Sequence, residues 1–292
     1  SDDGLFPTAM EEAVAAQRDP SVAKVHWPLC IVDEDGHDTG KLLPGGELPE
    51  GDLREIVIRC GPQSYPTPPT SGNAWARRFL EQVLPLQPME NRAGTADDQL
   101  SMLAPLFGEV RALRPQGFFR AHGSNNYWGR SVEHLATTIR DYERYCEVLG
   151  RVCRDKGIDV DPQQWTRESW FYRLHQALQD VADLVPSGHA FALADGDKWG
   201  TVEWMDGRRR IPFLARNGMH WGNPADDAEA IRETERLRRE GASFMVLGWP
   251  VFWWREHYPE WDRHVRSTYP CIVENDRLVA FDLRTSAVGQ RT

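Results

Sequence analysis

The sequence predicts an α/β protein of two domains with a helical hairpin between them. Three observations predict this. Beyond residue 187, apolar runs at 189–195, 243–249, 271–274 and 277–282 alternate with a charged helical stretch at 226–240. That is the pattern of mainly parallel strands joined by crossover helices, with the last two runs pairing as a hairpin around Glu274-Asn275-Asp276. Two long stretches, 131–156 and 162–184, read as helical: the first carries Leu135, Ile139, Tyr142, Cys146, Leu149 and Cys153 at three- and four-residue steps, and the second carries Trp165, Trp170, Leu174, Leu178 and Val181. The first is a single apolar stripe and both read as amphipathic helices, and Gly157 with the short turn before Pro162 predicts a hairpin. The third observation is size: 292 residues at 40 % hydrophobic supply enough apolar surface for two cores.

In chain order, Thr8 and Glu11 form a capping-box pattern ahead of an alanine-rich helix ending at Asp19-Pro20. Residues 22–33 read as a strand interrupted at Pro28, turning at Asp35-Gly36 into a partner strand. A short apolar segment follows at 53–58. Residues 62–73, rich in Pro and hydroxyls, exclude regular structure. Ser71 or Asn73 is placed to cap a helix over 74–84, which includes Trp75. Pro186 to Gly188 marks the clearest boundary. The expected domains are 1–130, a helical linker 131–186, a C-terminal α/β module 187–284, and a tail 285–292.

Net charge is -10 with pI about 5.4, which argues against a general nucleic-acid binder. The clusters at Arg208–Arg210 and Arg236–Arg239 read as solvated faces. Five scattered cysteines without a CxxC motif suggest free thiols in a reducing, cytoplasmic setting. No apolar run reaches membrane-spanning length, and no signal peptide is seen. The chain begins Ser1-Asp2-Asp3 without Met, and a start inside a domain, with residues missing upstream, is expected.

The chemistry concentrates in residues 94–126. Asp97 and Asp98 head an apolar helical run. The chain then returns through Gly108 and a short strand to a loop bearing Arg120, His122, Asn125 and Asn126. Carboxylates at one end and cation-capable groups at the other suit a site that expels a phosphate leaving group. The same aspartates serve equally as helix caps, and Arg120 as a strand-end ion pair.

Four pieces in order then carry a resemblance: Ser1-Asp2-Asp3; Pro69-Thr70-Ser71 with Arg77-Arg78; Ala96-Asp97; and Phe119-Arg120-Ala121-His122-Gly123 with Asn125. Residues 1 to about 126 resemble the second half of a family 2 glycosyltransferase of the GT-A fold. Residues 187–284 resemble the α/β module that follows such domains in some bacterial glycosyltransferases, on the marks Trp249 to Pro259 and Arg277 to Leu283. The resemblance implies the C-terminal half of a GT-A domain, a helical hairpin and a small Rossmann-like domain. It implies an inverting transfer from a nucleotide-sugar to a glycan or other hydroxyl acceptor. The donor-binding half would lie upstream, leaving these 292 residues inactive alone. Asp2 and Asp3 would hold Mg2+ or Mn2+ together with His122, and Asp97 would be the general base. Asp98 is a rival, because the family often has Glu-Asp where this chain has Ala96-Asp97-Asp98. His122 and Arg120 would face the diphosphate. Ser71, Asn73 and Trp75 would meet the acceptor.

Two rivals stand beside that reading. One is a non-catalytic glycan- or protein-binding scaffold, with several of the twelve tryptophans as its platform. The other is a nucleotide enzyme centred on Asp195, at a strand end, which lacks a glycine-rich phosphate loop.

Overall fold

The computed structural model describes residues 3–87, 96–122, 135–200, 207–216 and 218–285. The chain divides into two compact units, Ser1–Trp128 with Thr137–Ser169, and Gly129–Ala136 with Trp170–Thr292. The boundary falls at residue 169, inside the stretch 131–186.

The first unit is built on two small sheets. Its elements are β1 (Gly4–Leu5), α1 (Ala9–Ala16), β2 (Val22–His26), β3 (Leu29–Val32), β4 (Asp38–Leu43), α2 (Arg54–Cys60), β5 (Asn73–Trp75), α3 (Arg77–Val83), α4 (Ala96–Leu103), β6 (Glu109–Ala112) and β7 (Gly117–Arg120). Helices α5 (Leu135–Asp155) and α6 (Pro162–Glu168) follow. One sheet has the order β5-β2-β6 and the other β1-β7-β3-β4. Trp27-Pro28 therefore does more than interrupt a strand: it passes the chain from one sheet to the other. Ala13 of α1 packs with Val22, Val25, Trp27 and Leu29 in a buried core.

Several local expectations change. Thr8 makes no side-chain cap and sits in helical dihedrals, so the capping box does not form. Asn73 caps no helix. It pairs with His26, and Trp75 with Lys24, as β5 joins β2 antiparallel, and the helix begins only at Arg77. The Asn73 amide instead donates to the carbonyls of Pro68 and Pro69, stapling the proline-rich loop. These carbonyls lie in a loop outside any sheet ladder, and that of Pro69 also accepts from the Gly72 amide at 2.8 Å.

The second unit holds α7 (Trp170–Leu184), β8 (Ala190–Ala194), β9 (Arg209–Pro212), the small hairpin β10 (Ala215–Arg216) and β11 (Met219–His220), α8 (Asp227–Arg239), β12 (Ala242–Gly248), α9 (Trp254–His257), α10 (Pro259–Thr268), β13 (Cys271–Glu274) and β14 (Leu278–Asp282). The sheet order is β13-β14-β12-β8-β9. Pairing is parallel for β12-β8 and β8-β9 but antiparallel for β12-β14 and β13-β14. The expectation of mainly parallel pairing is thus corrected: the hairpin over 271–282 forms as expected, but β14 also joins β12 antiparallel, leaving two parallel and two antiparallel pairs. Asp226 caps α8 through the Glu229 amide. The stretch 162–184 is two helices, broken at Ser169, whose hydroxyl takes the Thr166 carbonyl and whose extended dihedrals end α6.

Both units are mixed α/β. Among the described residues no helix is long and apolar enough to cross a membrane, and the five cysteines are free.

Candidate functional site

The site in the first unit gathers around α4. At 100° per residue, Asp97, Asp98 and Ser101 share one arc of this helix. Asp97 accepts a hydrogen bond from the Thr70 hydroxyl at 2.6 Å. Asp98 accepts one from the buried Tyr145 hydroxyl at 3.1 Å. Ser71, the neighbour of Thr70, donates to the Asp3 carboxylate. One short 3-10 turn, Thr70–Gly72, thus holds the carboxylates of both acidic elements by consecutive hydroxyls.

Beneath α4 lies a buried cation. Lys24 is fully buried on β2 and donates to the Ser101 hydroxyl at 3.0 Å. Its ammonium stands 5.1 Å from the centre of the Tyr65 ring, and the Tyr65 hydroxyl closes on the Ser101 carbonyl at 2.5 Å. Burial brings the ammonium down to about 7, while Asp97 and then Asp98 hold it up. His26, two residues along the same strand face, is also fully buried. Its Nε2 meets the Pro49 carbonyl at 2.9 Å. A carbonyl only accepts, so Nε2 carries the proton. Burial, helped by the Lys24 charge, pushes this imidazole down to about 4.

Sequence reasoning missed Thr70, Lys24, Tyr65, Ser101 and Tyr145. Lys24 left a signal: a lone charge inside the strand Val22–His26, buried along its whole length. The other predicted residues are placed as follows. Arg120, at the end of β7, donates to the Glu34 carbonyl at 3.3 Å. His122 lies two residues beyond and is half-buried. Asn73 is occupied by its proline carbonyls, and Trp75 is half-buried on β5. Asp2, Asn125 and Asn126 lie outside the described residues, as do the start of the helix expected from 131, Trp204 and the tail beyond 285. Among the described residues, the group of carboxylate and imidazole side chains close enough to share a metal ion is Asp33, Asp35 and His37, all exposed in the β3-β4 turn. A cavity of about 420 Å³ borders Gln99, Leu103 and Phe107, on the arc of α4 away from the acidic pair.

Over 128 residues the chain is 27 % identical to an uncharacterized glycosyltransferase of Nostoc sp.. The match covers 44 % of this chain and 39 % of that protein. No family model matches.

The second unit offers less chemistry. Both Asp195 oxygens are used by its own turn, from the amides of Asp197 at 3.1 Å and Trp199 at 2.8 Å. Burial pushes this carboxyl up, opposed by Arg210, which approaches at 3.8 Å. The Arg208–Arg210 cluster is therefore not a solvated face: Arg208 closes the end of α7 through the Ala182 and Val185 carbonyls, and Arg210 serves Asp195. Arg236 and Arg238 do pair along their own helix, with Glu233, Glu240 and Glu235. Trp199, Trp254 and Trp261 are core residues, whereas Trp221 and Trp253 are exposed.

Proposed function

We propose that the chain is part of a glycosyltransferase of family 2 type, with the second half of a GT-A domain in its first unit, transferring a sugar from a nucleotide-sugar donor to a hydroxyl acceptor with inversion. The carrying observation is the turn Thr70–Gly72, which ties Asp97 by one hydroxyl and Asp3 by the next. The partial likeness to the Nostoc protein supports the reaction class.

Asp97 is the general base in this reading. Its carboxylate takes the acceptor hydroxyl proton while the acceptor oxygen bonds to the anomeric carbon and the bond to the diphosphate breaks, its electron pair leaving with the diphosphate. Both carboxylates accept a hydroxyl; Asp98 is the lesser choice because its partner is the buried Tyr145, whereas Asp97 is held by Thr70 in the same turn that holds Asp3. The Asp3 carboxylate is a hard oxygen donor of the kind Mg2+ or Mn2+ takes. Asp3, with Asp2, would hold that ion, and His122 would complete the set. The ion, when bound, neutralises charge on the leaving diphosphate. Arg120 and His122 stand at the diphosphate side. Ser71 and Trp75 would line the acceptor approach, with Asn73 fixing the proline-rich loop through the Pro68 and Pro69 carbonyls.

In the full-length protein, Asp97→Asn is expected to lower transfer by at least about a hundredfold while leaving nucleotide-sugar affinity unchanged by calorimetry. Turnover retained in Asp97→Asn and lost in Asp98→Asn would move the role by one residue. The exposed Trp221 and Trp253 favour a second reading, a glycan-binding module without catalysis. Glycan binding indifferent to Mg2+ and Mn2+, with no turnover of any donor, would establish it instead.

A further inference from the structure

We propose that Lys24 is a positioning residue for the acidic pair: its buried ammonium, moored on Ser101 of the same helix, is the fixed countercharge beneath Asp97 and Asp98. The inference rests on the reading of Asp97 as the base and adds a residue that acts through it.

The geometry carries the argument. A lysine with no exposed surface is costly unless its charge is met. Here the ammonium has one hydrogen bond to the Ser101 hydroxyl at 3.0 Å and a longer approach to the Tyr65 hydroxyl at 3.5 Å. Ser101 follows Asp97 by four residues and Asp98 by three, so all three side chains leave α4 on one side. Mooring the ammonium on Ser101 therefore sets a positive charge under the first turn of α4, where two adjacent carboxylates would otherwise repel each other. The titratable groups facing it are Tyr65, His26 on its own strand, and Asp97 and Asp98 on α4. Tyr145 of α5 donates to Asp98, and Asp141 of α5 acts on Tyr145 in turn. Asp97 and Asp98 are the anions among them that act on the ammonium. Any hydrogen-bonding residue would satisfy Ser101; a charged one is needed only if the carboxylates are its object.

The test is a double-mutant cycle on thermal stability, with Lys24→Met, Asp97→Asn and their combination in the full-length protein, run at pH 6 and pH 9. Lys24 is protonated at the lower pH and, with its ammonium brought down to about 7, neutral at the higher. At pH 6 the two single variants together are expected to lower Tm by about 2–4 °C more than the double variant does. At pH 9 that excess should vanish. Additive losses at pH 6, or an excess of the same size at both pH values, overturn the proposal, since packing alone does not titrate. Should Lys24→Met fail to fold, Ser101→Ala takes its place in the cycle, with the same two outcomes. Where transfer is measurable, Lys24→Met should reduce kcat at least about tenfold with the donor KM unchanged, and an unchanged kcat also overturns it. A wild-type protein without transfer under any donor removes the transferase reading, yet leaves the cycle to decide whether the charges are coupled.

Discussion

Thr70 and Ser71 differ by one methyl group, yet each holds a carboxylate from a different part of the chain, 27 and 68 residues away. Neither Asp97 nor Asp3 could have been assigned such a partner from spacing, because the partners meet through a loop without regular period. Lys24 and His26 were closer to legible: polar residues inside an otherwise apolar strand demand buried partners. His26 also makes a pH prediction. Its folded value near 4 lies below the ordinary 6.5, so between those values the unfolded chain binds a proton that the folded chain refuses. Stability is then fully present above pH 6.5 and falls as pH drops toward 4, by on the order of 3 kcal/mol from this group. Urea unfolding at pH 7.5 and pH 5 should show a smaller acid loss in His26→Gln, whose amide can still meet the Pro49 carbonyl. An equal loss in both proteins would assign the acid sensitivity elsewhere.

Among the elements, α4 and the strand after it were readable, since an acidic head followed by an apolar run and a glycine spells helix then strand. The extended stretch at 73–75 was not: three residues are too few to show a period of two, and its pairing with β2 is non-local. The break at Ser169 left one trace, the five-residue step from Trp165 to Trp170 in an apolar series otherwise spaced by three and four. Gly72 shows how tightly the site turn is seated. A Cβ there would come within 2.6 Å of the Pro68 side chain and 2.7 Å of the Trp27 carbonyl oxygen, and the Gly72 carbonyl already accepts from the Trp27 amide at 3.0 Å. Gly72→Ala should therefore cost about 1–3 kcal/mol, read as a lowered Tm, and should shift Thr70 and Ser71 with it. A Tm within experimental error of the wild type would mean that the turn has room to move.

Across the whole molecule, a charge of -10 predicts repulsion of polyanions. Duplex DNA should show no measurable binding at about 0.15 M salt, checked by fluorescence anisotropy, and salt-dependent binding would contradict the absence of a basic stripe. The α/β class could be read from the alternation of runs, but the boundary at residue 169 could not, because a unit boundary between two abutting helices leaves no composition change to see. The arrangement on α4 has a consequence for how such a chain can vary over generations. Asp97, Asp98 and Ser101 serve one side of the helix while Gln99 and Leu103 serve the cavity on the other, so residues can be exchanged one at a time. A lost or gained codon between 98 and 101 cannot be absorbed in the same way: it would rotate everything beyond it by about 100°, swinging Ser101 off the ammonium and Leu103 out of its wall together. Reading-frame-preserving indels in this one helix are closed to the lineage in a way that they are not in the loops around it.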